Sequence, residues 1–216
     1  MIFPESHFHL DHLPQIDQFF IDEAHNAKYS WPSVDHEHDK PITAVISHNN
    51  TVRNRGIPIP TPSCTQRGVP VDGERHDHVA RIVKSPSSFN DTKFIQDLRS
   101  NLGSVQARYL YNSPWSMYDW HQDLDRHESC INFVLTDTPD AKTVHRFPMD
   151  SRLNFFITTV NYKLYKPVLF NTKIDHCVFN FTDKHRYVLS VLIFDSSYKT
   201  AKDFLINYQP DSPGYL

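Results

Sequence analysis

The residues best suited to chemistry are His121 and Asp123, in the run Trp120-His121-Gln122-Asp123, with His176 and Arg186 further along the chain. Two imidazoles and one carboxylate are the donor set of a facial triad, which suits Fe(II) and leaves the opposite face of the ion open. His121 and Asp123 lie two apart, so on an extended segment their side chains share one face. The third donor must come from a strand that folds back beside the first, and His176 sits in such a run, Phe170–Val178. Arg186 then opens the apolar stretch Arg186–Phe194, in which alternation sets Arg186, Val188 and Ser190 on one face. An arginine directed into a sandwich is costly unless an anion pairs with it. A dicarboxylate whose far end reached Arg186 would satisfy it with bidentate hydrogen bonds.

The elements that must hold these groups are mostly strands. Val105, Ala107, Tyr109 and Tyr111 alternate with more polar neighbours from about residue 104 onward. Strand-like runs follow at Ser129–Thr136, Leu153–Val160, Lys163–Phe170, Lys173–Phe181 and Arg186–Phe194. Short strands separated by turns, with few helices between them, indicate an antiparallel sandwich or jelly roll. Before them, Leu13, Ile16 and Phe20 predict a helix over 12–25. A second helix carries Phe94, Ile95, Leu98 and Leu102, with Asn90 or Asp91 as its cap and Gly103 as its stop. Residues 41–78 hold Pro41, Pro58, Pro60, Pro62 and Pro70 and read as a long irregular segment, a candidate for substrate contact, with short strands near Ile42–Ser47 and Val79–Lys84. The chain reads as one domain spanning residues 1–216. Residues 1–103 are helical and loop-rich, residues 104–195 form a β core, and residues 196–216 form a C-terminal tail.

Composition bounds the setting. With 216 residues the chain can bury a sizeable core. Fifteen Phe and ten Tyr against five Gly fit a packed, sheet-rich domain. The formal charge of −3 comes without a Lys/Arg block, so a nucleic-acid partner is not expected. Cys64, Cys130 and Cys177 form no CxxC pair, and the N-terminus shows no signal-peptide pattern, so a soluble, cytoplasmic protein is expected. The longest apolar-rich run, Tyr187–Phe194, is too short to span a bilayer.

The ordered set His121, Asp123, His176 and Arg186 resembles the Fe(II)- and 2-oxoglutarate-dependent oxygenase superfamily over roughly residues 104–195, nearest its prolyl- and aspartyl/asparaginyl-hydroxylase branches. Tyr111–His121 is similar to the strand, loop and ligand stretch of prolyl hydroxylases, and Asn171-Thr172 with His176–Asn180 to the run around the distal histidine. The resemblance implies a mainly β fold with supporting α-helices, a double-stranded β-helix (jelly roll). It implies His121, Asp123 and His176 as catalytic iron ligands and Arg186 as partner of the 2-oxoglutarate C5 carboxylate. Tyr111, Asn132 and Ser190 become further cosubstrate contacts. The cofactors would be Fe(II), 2-oxoglutarate and O2, and the reaction a hydroxylation of a small-molecule or peptide substrate with release of succinate and CO2. Ser190 stands four residues after Arg186, where some members have a serine at two, and the glycine common before the distal-histidine turn is missing.

Other readings stand beside this one. A cupin-like metal enzyme would use the same triad without a keto acid, and a non-catalytic β-sandwich would bind without turnover. His7, His9, Asp11 and His12 read as a surface segment leading to the first helix. The runs 35–39 and 76–78 read as solvated loop charges, and His127, His145 and His185 as surface or substrate-proximal groups. Cys130 and Cys177 are expected as small core residues. Trp115, Tyr118 and Trp120 either line the substrate entrance or pack in the core.

Overall fold

The computed structural model describes residues 4–27, 81–83, 87–112, 116–123, 127–149 and 154–210; side chains at 27, 81–83, 87, 111, 116–119 and 121 lie outside that description. The expected segment 41–78, with its strand near Ile42–Ser47, and the runs 35–39 and 76–78 also fall outside the described residues.

Ten strands form two antiparallel sheets among the described residues. The larger contains β1 (His7–His9), β2 (Arg81–Val83), β3 (Val105–Asn112), β5 (Ser129–Val134), β8 (Pro167–Asn171) and β10 (Arg186–Ile193) in the order β1-β8-β5-β10-β3-β2. The smaller contains β4 (Ser116–His121), β6 (Ala141–Pro148), β7 (Phe155–Val160) and β9 (His176–Asn180) in the order β4-β9-β6-β7. Four helices are described: α1 (Gln18–Ala27), α2 (Ser87–Asn90), α3 (Lys93–Leu102) and α4 (Tyr198–Asn207). Among the described residues no helix is long and apolar enough to cross a membrane.

The central strands have two different buried faces, which is why β10 reads as an almost unbroken apolar run. Tyr187, Leu189, Val191 and Ile193 join Ile131 and Phe133 of β5 in a cluster closed over by Phe20 of α1, Phe89 of α2, Leu98 of α3 and Leu205 of α4. Each large side chain removed from water there contributes roughly 1.5–3 kcal/mol. The opposite face of β5 and β10 meets the smaller sheet. Cys130, Phe170 and Leu192 pack with Val160 of β7, and the Phe170 ring lies 4.5 Å from that of His145 on β6.

Several boundaries differ from the sequence expectation for local reasons. The first helix begins at Gln18 rather than at 12. Leu13 precedes Pro14, which disfavours helical geometry at that residue, and the chain instead follows β8 through Leu10 N–H to Pro167 O at 3.1 Å and Ile16 N–H to Tyr165 O at 3.1 Å. Asp17 then caps α1 by accepting from Phe19 N–H at 2.8 Å. The second helix is capped by Thr92, not by Asn90 or Asp91, because α2 takes in Asn90 and frees Thr92 to accept from Ile95 N–H. The segment 196–216 is not merely a tail. Ser197 caps α4 by accepting from Thr200 N–H, and Tyr198, Ala201 and Leu205 bury one face of it. His7 and His9, expected in a surface lead-in, pair with Phe170 and Val168 as β1.

Gly103 ends α3 with φ of 86°, and a Cβ there would meet the Asp195 side chain at 2.8 Å. The same carboxylate accepts from Ser104 N–H at 2.7 Å, so it has little freedom to retreat. Gly103→Ala is expected to lower unfolding stability by about 1–3 kcal/mol, read as a lower urea midpoint at unchanged slope; an unshifted midpoint would contradict this account of the turn.

Candidate metal centre and anion site

Pairing across the smaller sheet assembles a row of histidines. β4 and β9 set His121 opposite His176, with a bulge between Tyr118 and His121. β9 and β6 set His176 opposite His145, and β6 and β7 continue the row to Thr158. Directly opposed residues on antiparallel strands occupy the same face. For His176 and His145 it is the face turned to the larger sheet, since the Phe170 ring of β8 lies 4.8 Å from His176 and 4.5 Å from His145.

His176 is 4% exposed, and its Nδ1 lies 2.8 Å from Ile174 O. A carbonyl can only accept, so Nδ1 carries the proton and Nε2 keeps its lone pair, the tautomer a metal ligand needs. Burial pushes its pKa below the ordinary value, opposed chiefly by the nearby Asp123 charge. Asp123 is held by its backbone: its N–H donates to Thr172 O at 3.0 Å, and Lys173 Nζ donates to Asp123 O at 2.8 Å. These bonds draw the segment after β4 onto the turn before β9. The Asp123 carboxylate lies 3.3 Å from His127 Nε2. His176 in the ligating tautomer and the Asp123 carboxylate are two donors of the kind Fe(II) takes, and His121 pairs with His176 in backbone register. Among the described residues no group of three or more such donors is placed to hold a metal ion.

Behind the row, on the outer face of β6, Arg146 binds the same elements together. Its N–H donates to Asp175 O at 2.9 Å and its Nε to Asp175 Oδ2 at 2.5 Å. Its guanidinium carbon lies 4.4 Å from the Trp120 ring centre and 5.1 Å from that of Phe155. One side chain therefore ties β4, β6, β7 and the turn carrying His176. Trp120 serves as packing in this arrangement.

Arg186 is 3% exposed, on the face of β10 turned to the smaller sheet. Nη1 donates to Asn112 Oδ1 at 3.2 Å and Nη2 lies 3.5 Å from Thr143 Oγ1. Its guanidinium stands over the Tyr162 ring at 5.1 Å, and the Tyr162 hydroxyl is 3.1 Å from Thr143 Oγ1. Burial lowers its pKa, and Tyr162 opposes that shift. Among the described residues it has no carboxylate partner, so a buried cation is held by neutral groups alone. A cavity of about 230 Å³ reaches this guanidinium and is lined also by Thr136, Thr138, Lys142, Val160 and Tyr162.

Ser190 is buried on the Arg186 face and is directly opposed by Asn132 on one side and Arg108 on the other. Asn132 Oδ1 lies 3.5 Å from Cys130 Sγ. Tyr111 stands opposite Tyr187, one residue out of phase with Arg186; the residue opposite Arg186 is Asn112. Cys130 and Cys177 are buried thiols, and burial pushes the Cys130 thiol up to about 12, so it is no nucleophile at neutral pH.

Three features of the site escape the sequence reading. His145, expected as a surface or substrate-proximal group, is 0% exposed and shares the row of His176. His127 is buried beside Asp123. Asn112, Thr143 and Tyr162 surround the Arg186 guanidinium. The alternation Ala141-Lys142-Thr143-Val144-His145 is the available signal for β6, masked by its polar content.

Arg146→Ala removes a buried cation from between two rings and from Asp175. Stability is expected to fall by about 2–4 kcal/mol, measured by chemical denaturation, and Fe(II) affinity to fall with it in a calorimetric titration. A variant of wild-type stability would mean that the stack does not hold these strands.

No protein-family model matches the chain, and no curated protein matches its sequence. Among solved structures it is similar to a prolyl-4-hydroxylase of Pseudomonas putida, with 15% identity and a TM-score of 0.40 over 53% of this chain and 67% of that one. It is similar also to an oxidoreductase of the 2OG-Fe(II) oxygenase family from Burkholderia pseudomallei, with 13% identity and a TM-score of 0.38 over 51% of this chain and 54% of that one. An oxalate oxidase matches with 13% identity and a TM-score of 0.32 over 43% of each chain. None of these scores reaches a level at which likeness argues for an activity.

Proposed function

We propose that this chain is an Fe(II)- and 2-oxoglutarate-dependent oxygenase on a double-stranded β-helix, hydroxylating a small-molecule or protein side-chain substrate. The observation that carries the reading is one enclosed face holding His176, with which His121 pairs in backbone register, and a buried Arg186 with no carboxylate partner among the described residues. The strand orders β4-β9-β6-β7 and β8-β5-β10-β3 support the fold.

In this reading His121, Asp123 and His176 hold Fe(II). The Ile174 carbonyl fixes the His176 tautomer, and the Thr172 and Lys173 contacts hold Asp123 in place. Arg186 binds the C5 carboxylate of 2-oxoglutarate, with Asn112, Thr143 and Tyr162 keeping the guanidinium oriented. Ser190 and Asn132 flank the cosubstrate; backbone register pairs Tyr111 with Tyr187 and not with Arg186, so Tyr111 is not counted among the contacts. Bound iron, with the keto acid and O2, supplies the oxidising power: one oxygen atom enters the substrate C–H bond as a hydroxyl and the other enters succinate as CO2 leaves. Phe170, Cys130 and Leu192 exclude water from one wall of the chamber.

A metal enzyme that uses no keto acid is the second reading, favoured by His145, a third imidazole in the row. Arg186 separates the two. Anaerobic addition of 2-oxoglutarate to the Fe(II) protein is expected to raise a visible charge-transfer band, and Arg186→Ala to weaken that binding at least about tenfold by removing a charge-assisted bidentate contact. Unchanged affinity in the variant would reject the anion site, and absence of the band in the wild type would reject the cosubstrate. Asp123→Ala is expected to abolish succinate formation; full activity would discard the triad.

A further inference from the structure

His145 is a buried polar side chain that the fold does not satisfy. It is 0% exposed, and neither ring nitrogen has a hydrogen-bond partner among the described residues. Its surroundings are rings: Phe170 at 4.5 Å, His176 at 5.8 Å and His7 at 6.0 Å between centroids. An imidazole always has at least one N–H to donate. Leaving both ring nitrogens unmet in a buried site is costly, and an apolar residue of similar size would escape that cost.

Its place in the strand suggests what meets it. Thr143 and His145 are successive residues on one face of β6, so their backbones lie about 7 Å apart. Thr143 reaches the Arg186 guanidinium, while His145 lies opposite His176. An extended five-carbon diacid spans roughly 5 Å between its terminal carbons. In the oxygenase reading, a keto acid with one carboxylate at Arg186 and its other end at the metal would run along this face, its chelating end beside the imidazole.

We infer that His145 is a positioning residue that hydrogen-bonds the metal-chelating C1 carboxylate of the keto acid, a third anchor beside the metal and Arg186. The assignment rests on the oxygenase reading above. It makes His145 a donor to the cosubstrate and not a fourth ligand to the metal.

The test uses the full chain loaded anaerobically with Fe(II) and titrated with 2-oxoglutarate, comparing wild type, His145→Phe and His145→Gln. Fe(II) affinity of each is measured separately by calorimetry, with circular dichroism melts as the folding control. His145→Phe is expected to bind Fe(II) within about twofold of wild type, to bind 2-oxoglutarate about tenfold or more weakly, and to shift the charge-transfer maximum. His145→Gln, which keeps an N–H donor, is expected to recover some of the affinity and the original band position. Unchanged 2-oxoglutarate affinity in both folded variants would overturn the inference and leave the oxygenase reading standing. Loss of Fe(II) affinity in both folded variants would overturn it by making His145 a ligand. If the wild type itself gives no band, the oxygenase reading fails first and takes the inference with it.

Discussion

Antiparallel register across β4, β9 and β6 of the smaller sheet is the constraint on which the rest of the site depends. Because alternate residues point to opposite faces, a slip of one residue would send His176 and His145 out of the chamber and bring Cys177 and Val144 in. The register is tied from outside rather than inside. Arg146, the residue beside His145, stacks on Trp120 and Phe155 and bonds Asp175, so it joins the residue beside His121, a residue of β7 and the turn before His176. At the other end of β9, Asn180 donates to Lys184 O at 2.7 Å and to Asn112 O at 3.3 Å, joining the β9–β10 turn to the strand that orients Arg186. The proposed metal ligands and anion site are thus linked by one connected set of strand contacts.

Stability and chemistry use opposite faces of the same strands. The helix-covered face of β5 and β10 is apolar throughout, built from Ile131, Phe133, Leu189, Val191 and Ile193 against the four helices. The face turned to the smaller sheet carries Arg186, Ser190 and Asn132, opposed by Thr143, His145 and His176. Between two sheets this is an expensive interior, because buried polar groups need partners. The division makes it tolerable: the apolar drive comes from the helices, so the chamber can keep groups that weaken the fold. Arg108 fits the same description, standing opposite Ser190 with a buried Nε that lacks a partner among the described residues.

Much of this is legible in the sequence where local signals agree with the fold. The spacing of His121 and Asp123, the alternation through β3 and the unbroken apolar run of β10 all follow from period two, and α3 announces itself through Phe94, Ile95, Leu98, Leu102 and Gly103. β6 and β1 are hidden because His145, Arg146, His7 and His9 look like solvent-facing residues, and nothing local reveals that stacking and cross-sheet contacts bury the first two and half-bury the others. The start of α1 is obscured because Leu10, Leu13 and Ile16 serve β8 and the helix-side core while keeping helical spacing. α4 does carry a local signal, since Ser197 followed by Tyr198, Ala201 and Leu205 is a cap before an amphipathic stripe.

The arrangement of unpaired groups separates a binding chamber from an ordinary sandwich core. A core selected for stability would replace Arg186 and His145 with apolar residues, since exchanging buried ionic or polar groups for well-packed ones is often neutral or stabilising. Here the guanidinium keeps only neutral partners, and the imidazole keeps none among the described residues. Arg186 reaches Thr143, and His145 is the next residue on the Thr143 face of β6. Two unrelated packing faults would have no reason to share a face and a strand neighbour. In the proposed reading, a single elongated anion with a charged end and a chelating end accounts for both.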